Sequence, residues 1–505
     1  MNRNALNGKS LRLSNTLRTL ETRQSMRGFN ATRKALPAIA LCSSLGFAIP
    51  SALAQEVSKP IEHSGLKMAD FATSTTAPVV NHGKFSNKAF LDRMQQLRLA
   101  SLKTMEQQTT AQTVPAPVPT APAAPEPGTV TYTGLIDWYY SINTRAPGGS
   151  SAGQFAPNIT PSGETIRQDN FGLYFVNRDR NPIITLGEIN ITRTPGKGLP
   201  LGLTATLTLG DSARLYHATE PGGTSSYYPF HNLFLTASAK VLGKDVAVDF
   251  GKWASPFGME VLESNLNDNY SRASTYWYAV PFYHFGVRAT TALSSTVTVQ
   301  AGLVNGWNNV ADDNNGKTLY AQMTWKPSPK FTQILGWIGG LEGTGAMGVV
   351  APTRGGGGWT INLLDVQSIY QVNDKLKLAG WISYGSGAGN VQGIKALTGR
   401  TDDHFSGNWL GMVGYAKYQF TPKFAFATRL EQLEDQPGVG GVSPRLGVGG
   451  YFNVRTYTFT FEYTHKNLVS RLEYRHDSAN QSVFGAARGL VTDQDTITLG
   501  QVYKF

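Results

Sequence analysis

Charged side chains recur at two-residue spacing late in the chain: Arg429 and Glu431, then Arg471, Glu473 and Arg475, with Glu462 inside the run Thr456 to Tyr463. In an extended strand, side chains two residues apart share a face, so each set forms a row. Taking Val287 as outward puts His284 and Arg288 on the other face of their segment in the same way. Rows of mixed charge have two uses. They can set a transverse field across a water-filled space, ordering water and filtering polar solutes. They can also pair across adjacent strands and stiffen a wall. Both readings stand for each of these residues.

Covalent and metal chemistry have little to work with. Cys42 is the only cysteine, the eight His show no paired spacing, and no G-x-S-x-G or phosphate-binding glycine loop occurs. His217, His231 and His404 fall near loops without a persuasive acid or nucleophile beside them in sequence. Asp312 to Gly316 faintly resembles a calcium loop, but the glutamate required six residues after the glycine is Gln322. No enzymatic activity, metal site or cofactor is expected.

The elements that would carry the charged rows are strands. Thr456-Tyr457-Thr458-Phe459-Thr460-Phe461-Glu462-Tyr463 alternates aromatic with polar residues, and Leu203 to Leu209 and Thr296 to Val299 alternate likewise. Such a pattern suits a wall with lipid on one face and water on the other. It puts Tyr457, Phe459, Phe461, Tyr463, Leu472, Tyr474, Phe424, Phe426 and Leu430 outward and the charged residues inward. Short turns rich in Pro, Asn, Asp and Lys, as in Lys326 to Phe331, Gln371 to Leu376 and Phe420 to Phe424, alternate with long Gly/Asn/Asp-rich loops. The long loops lie near 211–229, 253–280, 305–316, 340–358, 385–407, 434–449 and 477–492.

About sixteen strands result: near 130–141, 182–193, 200–210, 230–241, 244–252, 281–292, 295–304, 317–326, 329–339, 359–371, 374–384, 408–420, 422–433, 451–464, 467–476 and 493–505. The expected fold is all-β, a transmembrane antiparallel β-barrel with turns in the periplasm and loops outside. Residues 142–181 read either as one long first loop or as a second strand beginning at Phe171 to Asn177. Trp253, Trp307, Trp337, Trp359 and Trp409 at loop ends, with Trp325, Tyr370, Tyr418, Tyr463 and Tyr503 at turn ends, read as two interfacial girdles.

Composition agrees. Only 16% of the 505 residues are charged, below the usual quarter of a soluble domain, with 54 Gly and 11% aromatics. Residues 1–54 read as an export signal: Arg27, Arg33 and Lys34, then apolar Ala35 to Ile49, then Ala52-Leu53-Ala54 before Gln55. Met26 would begin a signal of ordinary length. Eight of the 45 basic and one of the 34 acidic residues fall in 1–54, leaving 37 against 33, a net of +4. That balance gives no argument for nucleic acid. Residues 55–112 hold one helical stretch, near 85–108, and 113–128 form a Pro/Ala-rich linker of semi-rigid character. The extension is too short for a folded plug, which disfavours a TonB-dependent transporter.

Around the third long loop the residues look familiar. Asp249-Phe250-Gly251-Lys252-Trp253-Ala254-Ser255-Pro256-Phe257-Gly258-Met259-Glu260-Val261-Leu262-Glu263-Ser264 is followed by Asn269-Tyr270-Ser271-Arg272, Pro281 to Arg288 and Val304-Asn305-Gly306-Trp307-Asn308. This resembles the OmpL-like β-barrel porin-2 family over most of 130–505. The resemblance implies an outer-membrane porin and supplies no catalytic residue or known substrate. By analogy with porins, loop 253–280 is the constriction candidate, through Glu260, Glu263, Asp268 and Arg272. The last strand ends on Tyr503 and Phe505, which resembles the C-terminal signal read by the barrel-assembly machinery; Gln501 departs from that alternation. The expected partners are outer-membrane lipid, small hydrophilic solutes, the assembly machinery and further copies of the chain in a homotrimer. A structural or adhesive barrel with a peptidoglycan-directed N-terminal segment is the alternative.

Overall fold

A computed structural model describes residues 128–147, 169–170, 173–196, 198–217, 229–312, 314, 316–342, 359–390, 404–436, 451–487 and 489–505. The expected signal, the 85–108 helix and the Pro/Ala linker lie outside these residues.

Sixteen antiparallel strands close into one barrel. They are β1 (Val130–Asn143), β2 (Ile183–Arg193), β3 (Leu201–Leu209), β4 (Phe230–Val241), β5 (Lys244–Ala254), β6 (Tyr283–Ala292), β7 (Val297–Val304), β8 (Thr318–Ser328), β9 (Phe331–Glu342), β10 (Trp359–Gln371), β11 (Leu376–Asn390), β12 (His404–Gln419), β13 (Phe424–Asp435), β14 (Phe452–His465), β15 (Leu468–Ala479) and β18 (Asp493–Lys504). Each pairs with its sequence neighbours, and β1 closes the ring against β18, Leu135 opposite Lys504 and Asn143 opposite Thr496. Closure leaves no unpaired sheet edge, which a wall in lipid requires. A small hairpin, β16 (Phe484–Ala486) with β17 (Gly489–Val491), sits in the last long loop. The second strand begins at Ile183, and Tyr174–Val176 is a single 3-10 turn, so the strand does not start at 171–177.

Period-two patterning decides which face each side chain takes. On β14, Tyr457, Phe459, Phe461 and Tyr463 are exposed on the outer wall while Thr456, Thr458 and Thr460 are fully buried inside. Facing aromatics pack along the outer surface: Phe424 on Tyr463, Phe426 on Phe461 and Phe459 on Tyr474. The turn-end girdle holds, with Trp325, Tyr370, Tyr418, Tyr463 and Tyr503 all exposed on the outer wall.

The loop-end girdle needs correction. Trp337 is exposed, but Trp253, Trp307 and Trp409 are buried. Trp409 donates its indole N–H to the Ala279 carbonyl at 3.0 Å, Trp253 stacks on Arg288, and Trp307 meets Trp409 edge to face. Strand parity, rather than nearness to a strand end, sets the directions of Trp253 and Trp409, whereas Trp307 lies in the loop past the end of β7. Trp409 shares the inward face of β12 with Gly411, Val413 and Tyr415.

A cation on the outer wall has no water to reach at mid-strand. Phe459→Arg should therefore destabilise the barrel by about 2–4 kcal/mol, read from urea unfolding in lipid vesicles.

Candidate functional site: the third loop inside the barrel

The segment 255–282 between β5 and β6 folds into the barrel and is bound to its inner wall. An irregular segment carries backbone N–H and C=O groups that must be satisfied wherever water is excluded. The wall meets this need by charge type. Carboxylates take the N–H groups: Glu473 accepts from Tyr270 N at 2.6 Å and Ser271 N at 3.0 Å, and Glu431 from Ser274 N at 3.0 Å and Thr275 N at 2.6 Å. The latter pair opens a short helix, α1 (Ser274–Tyr278), so Glu431 fills the place of a missing cap.

Guanidinium groups take the C=O groups. Arg471 donates to the carbonyls of Ser264, Asn267 and Asn269, Arg475 to that of Arg272, and Arg429 to that of Ser271 at 2.6 Å. Arg429 also reaches Glu260 at 2.7 Å. Two strands along the same wall, on β1, Asp137 accepts from the hydroxyls of Ser264 at 2.5 Å and Tyr270 at 2.6 Å.

Two wall glycines make room for the loop. A Cβ on Gly500 would stand 2.3 Å from the Tyr270 ring, and one on Gly411 2.3 Å from Thr275 Cγ2. Inside the loop, Arg272 donates to the carbonyls of Val261, Leu262 and Tyr270, and Glu260 accepts from Ala273 N at 2.6 Å. Asp268 pairs with Lys377 of β11 at 2.7 Å. Burial alone would raise its carboxyl pKa, but Lys377 and Lys417 outweigh that and hold it below the ordinary value. Burial drives the Tyr270 hydroxyl pKa up, and the neighbouring Asp137 adds to the effect.

All eight inward candidates on the wall point inward. Their surroundings differ from a water-facing row, however. Arg429, Glu431, Arg471, Glu473 and Arg475 are covered by the loop. Cross-strand pairing applies to Glu462, which is held by Arg471 at 2.7 Å and Lys417 at 3.0 Å, and to Arg288, which donates to Asp249 at 2.7 Å. His284 is buried between Ser255 Oγ at 3.1 Å and the Gly306 carbonyl at 3.3 Å. The four loop candidates, Glu260, Glu263, Asp268 and Arg272, all take part in docking or bracing the loop.

Sequence reasoning missed Asp137, Tyr270, Lys377 and Lys417. Asp137 was findable: it follows inward Leu135 and precedes inward Tyr139, with exposed Ile136 between. Sequence reasoning also left His231 without a partner, whereas its Nδ1 lies 3.1 Å from Glu263 Oε1. The described part of the Asp312 segment is a turn, with Asp312 accepting from Asn314 N and pairing with Lys317.

Beside the docked loop lies a cavity of about 730 Å³. Its wall on β2 to β4 is mostly neutral and polar: Asn190, Thr192, Thr204, Thr206 and Asn232. Lys377 and Arg288 border it with their carboxylate partners satisfied.

A closed sixteen-stranded barrel with lipid-type outer wall and an inward-folded loop defines an outer-membrane β-barrel of the porin class. Residues 129–505 match the family described as "Putative beta-barrel porin-2, OmpL-like", and the chain belongs to that family. No curated protein matches it in sequence. Among solved structures it is similar to a loop-deletion mutant of OmpT, an outer membrane protein of Vibrio cholerae, at 12% identity and TM-score 0.46, covering 75% of this chain and 100% of that one. The outer membrane channel DcaP of Acinetobacter baumannii gives 12% and 0.44, covering 75% and 98%. An anion-selective porin from Comamonas acidovorans gives 11% and 0.43, covering 75% and 100%. The fold assignment rests on the strand pairing itself rather than on these scores.

Removing one wall acceptor should loosen the loop without opening the barrel. Glu431→Ala leaves two buried N–H groups unpaired, at about 1–3 kcal/mol, and faster hydrogen exchange over 274–278 is the expected reading. Acid acts on a second tie. Because the Asp268 carboxyl lies below its ordinary value in the folded state, the Lys377 tie is complete above the ordinary Asp range near pH ~4. It is lost as pH falls through the lower folded value. Exchange around 265–270 should rise only there.

Proposed function

We propose that the chain forms a water-filled channel for passive diffusion of small hydrophilic solutes and ions across the outer membrane, and that it is not an enzyme. The cavity beside a docked loop, inside a closed barrel, carries this reading. Glu260, Glu263, Asp268 and Arg272 act in it as the framework of a constriction. The Arg and Glu rows of β13 to β15 act mainly as its anchors and only secondarily as wall charge. Solutes pass along the β2–β4 side, where neutral Thr and Asn side chains exchange hydrogen bonds with water at little cost.

The short turns and the extension 55–128 face the periplasm in this reading. Tyr503 and Phe505, exposed on the outer wall, serve as the signal for the barrel-assembly machinery. A homotrimer is the accompanying assembly. If 129–505 and 55–505 show the same oligomer on native gels, the extension is removed as an assembly device.

Planar-bilayer recording of refolded 55–505 tests the channel. Ohmic steps are expected, and the sign of the reversal potential under a KCl gradient reads which charge dominates the cavity. Silence from demonstrably folded barrels would overturn the channel and favour the structural or adhesive alternative.

A further inference from the structure

Three groups of metal-ligating type meet where the third loop touches the β2–β4 wall. Glu188 comes from β2, His231 from β4 and Glu263 from the loop, and one ligand atom of each lies within 4.8 Å of the others. Strand pairing fixes the first two, and loop docking brings the third. Glu188 and Glu263 also border the cavity, which gives a dissolved ion a route in.

The hydrogen bonds place the His231 proton on Nε2 and turn Nδ1 toward the two carboxylates. The Tyr216 hydroxyl donates to the Phe282 carbonyl, which can only accept. The Tyr216 oxygen must therefore accept at 3.1 Å from the Nε2–H of His231. Nδ1 then either keeps its lone pair or, in the imidazolium, carries a proton; it faces Glu263 Oε1 at 3.1 Å without hydrogen-bond alignment. Nδ1 of His231 and Oε2 of Glu188 are both buried without a hydrogen-bond partner, and His231 is only 2% exposed. Converging lone pairs in a buried place need either extra protons or a cation. A ligating His that gives its other N–H to a fixed acceptor is the usual arrangement around a bound metal.

We propose that Glu188, His231 and Glu263 bind one divalent transition-metal ion, of the Zn²⁺ type, that fastens the third loop to the barrel wall. The single imidazole disfavours Ca²⁺ and Mg²⁺, which prefer oxygen ligands throughout. Three protein ligands leave a fourth, tetrahedral position for a water from the cavity.

Calorimetric titration of ZnCl₂ into EDTA-stripped, folded 55–505 reads the site directly, whether or not the barrel conducts. The expected result is saturation at about one ion per barrel. Glu188→Gln and His231→Gln should each weaken binding by at least about tenfold, and Tyr216→Phe, which frees the ring, by about 10–100-fold. His476→Gln, on β15 and paired with Asp495, should leave it unchanged. Folding of each variant is checked by heat-modifiable gel mobility, so a variant that does not fold drops out and the others decide. No saturable binding by the parent chain, or unchanged affinity in the folded His231→Gln and Tyr216→Phe variants, would overturn the site.

Discussion

A backbone segment without regular structure can lie inside a barrel only if something else satisfies its hydrogen-bonding groups. Here the wall does so, and the sign of each wall charge follows from the group it meets. Glu431 and Glu473 receive N–H groups of the third loop, while Arg429, Arg471 and Arg475 give to its carbonyls. Hydrogen bonds to charged partners are roughly twice as strong as neutral ones. The loop is thus placed by charged wall residues on β13 to β15 and by Asp137 on nearby β1. Replacing these charges by neutral residues of similar size would keep the barrel and lose the definition of what fills it.

Docking also sets the asymmetry of the lumen. The β13–β15 wall is covered, and the Cβ-free positions Gly411 and Gly500 let Thr275 and Tyr270 approach where any other residue would push them away. The β2–β4 wall keeps its Asn and Thr side chains facing the cavity. Charges on β13 to β15 stand where the loop needs anchors, while on the β2–β4 wall Asn and Thr side chains line the cavity together with Glu188.

Much of this was legible in the sequence, and the reason is geometric. Strict alternation fixes a side chain's face from its neighbours alone, so the sixteen strands and the inward direction of Arg429, Glu462 and Arg471 could be read without coordinates. Trp253 and Trp409 were misread because nearness to a strand end was given more weight than parity, and Trp307 because the course of its loop is not in the pattern. What lies against an inward residue could not be read at all. Arg471 meets Asn267 only because the barrel closes and the loop returns, and that relation is carried by separations of about two hundred residues. The choice between a water-facing field and cross-strand pairing left out a third partner, the loop backbone.

The Glu188–His231–Glu263 cluster illustrates the same limit. No spacing rule joins residues 188, 231 and 263, because two of them lie on strands either side of β3 and the third arrives by loop docking. Where the wall meets the loop on β13 to β15, opposite charges and backbone groups cancel one another. On the β2–β4 side, two carboxylates and an imidazole lone pair converge with atoms left unpaired. A loop tied firmly on one side and unbalanced on the other is held in one position only if the second side also finds its counter-charge. A bound cation supplies that charge with fixed geometry, whereas shared protons would supply it with a strength that varies with pH. The two cases differ in whether the loop edge at Glu263 is held by coordination bonds or by proton occupancy, with the Nε2–H of His231 given to Tyr216 in both.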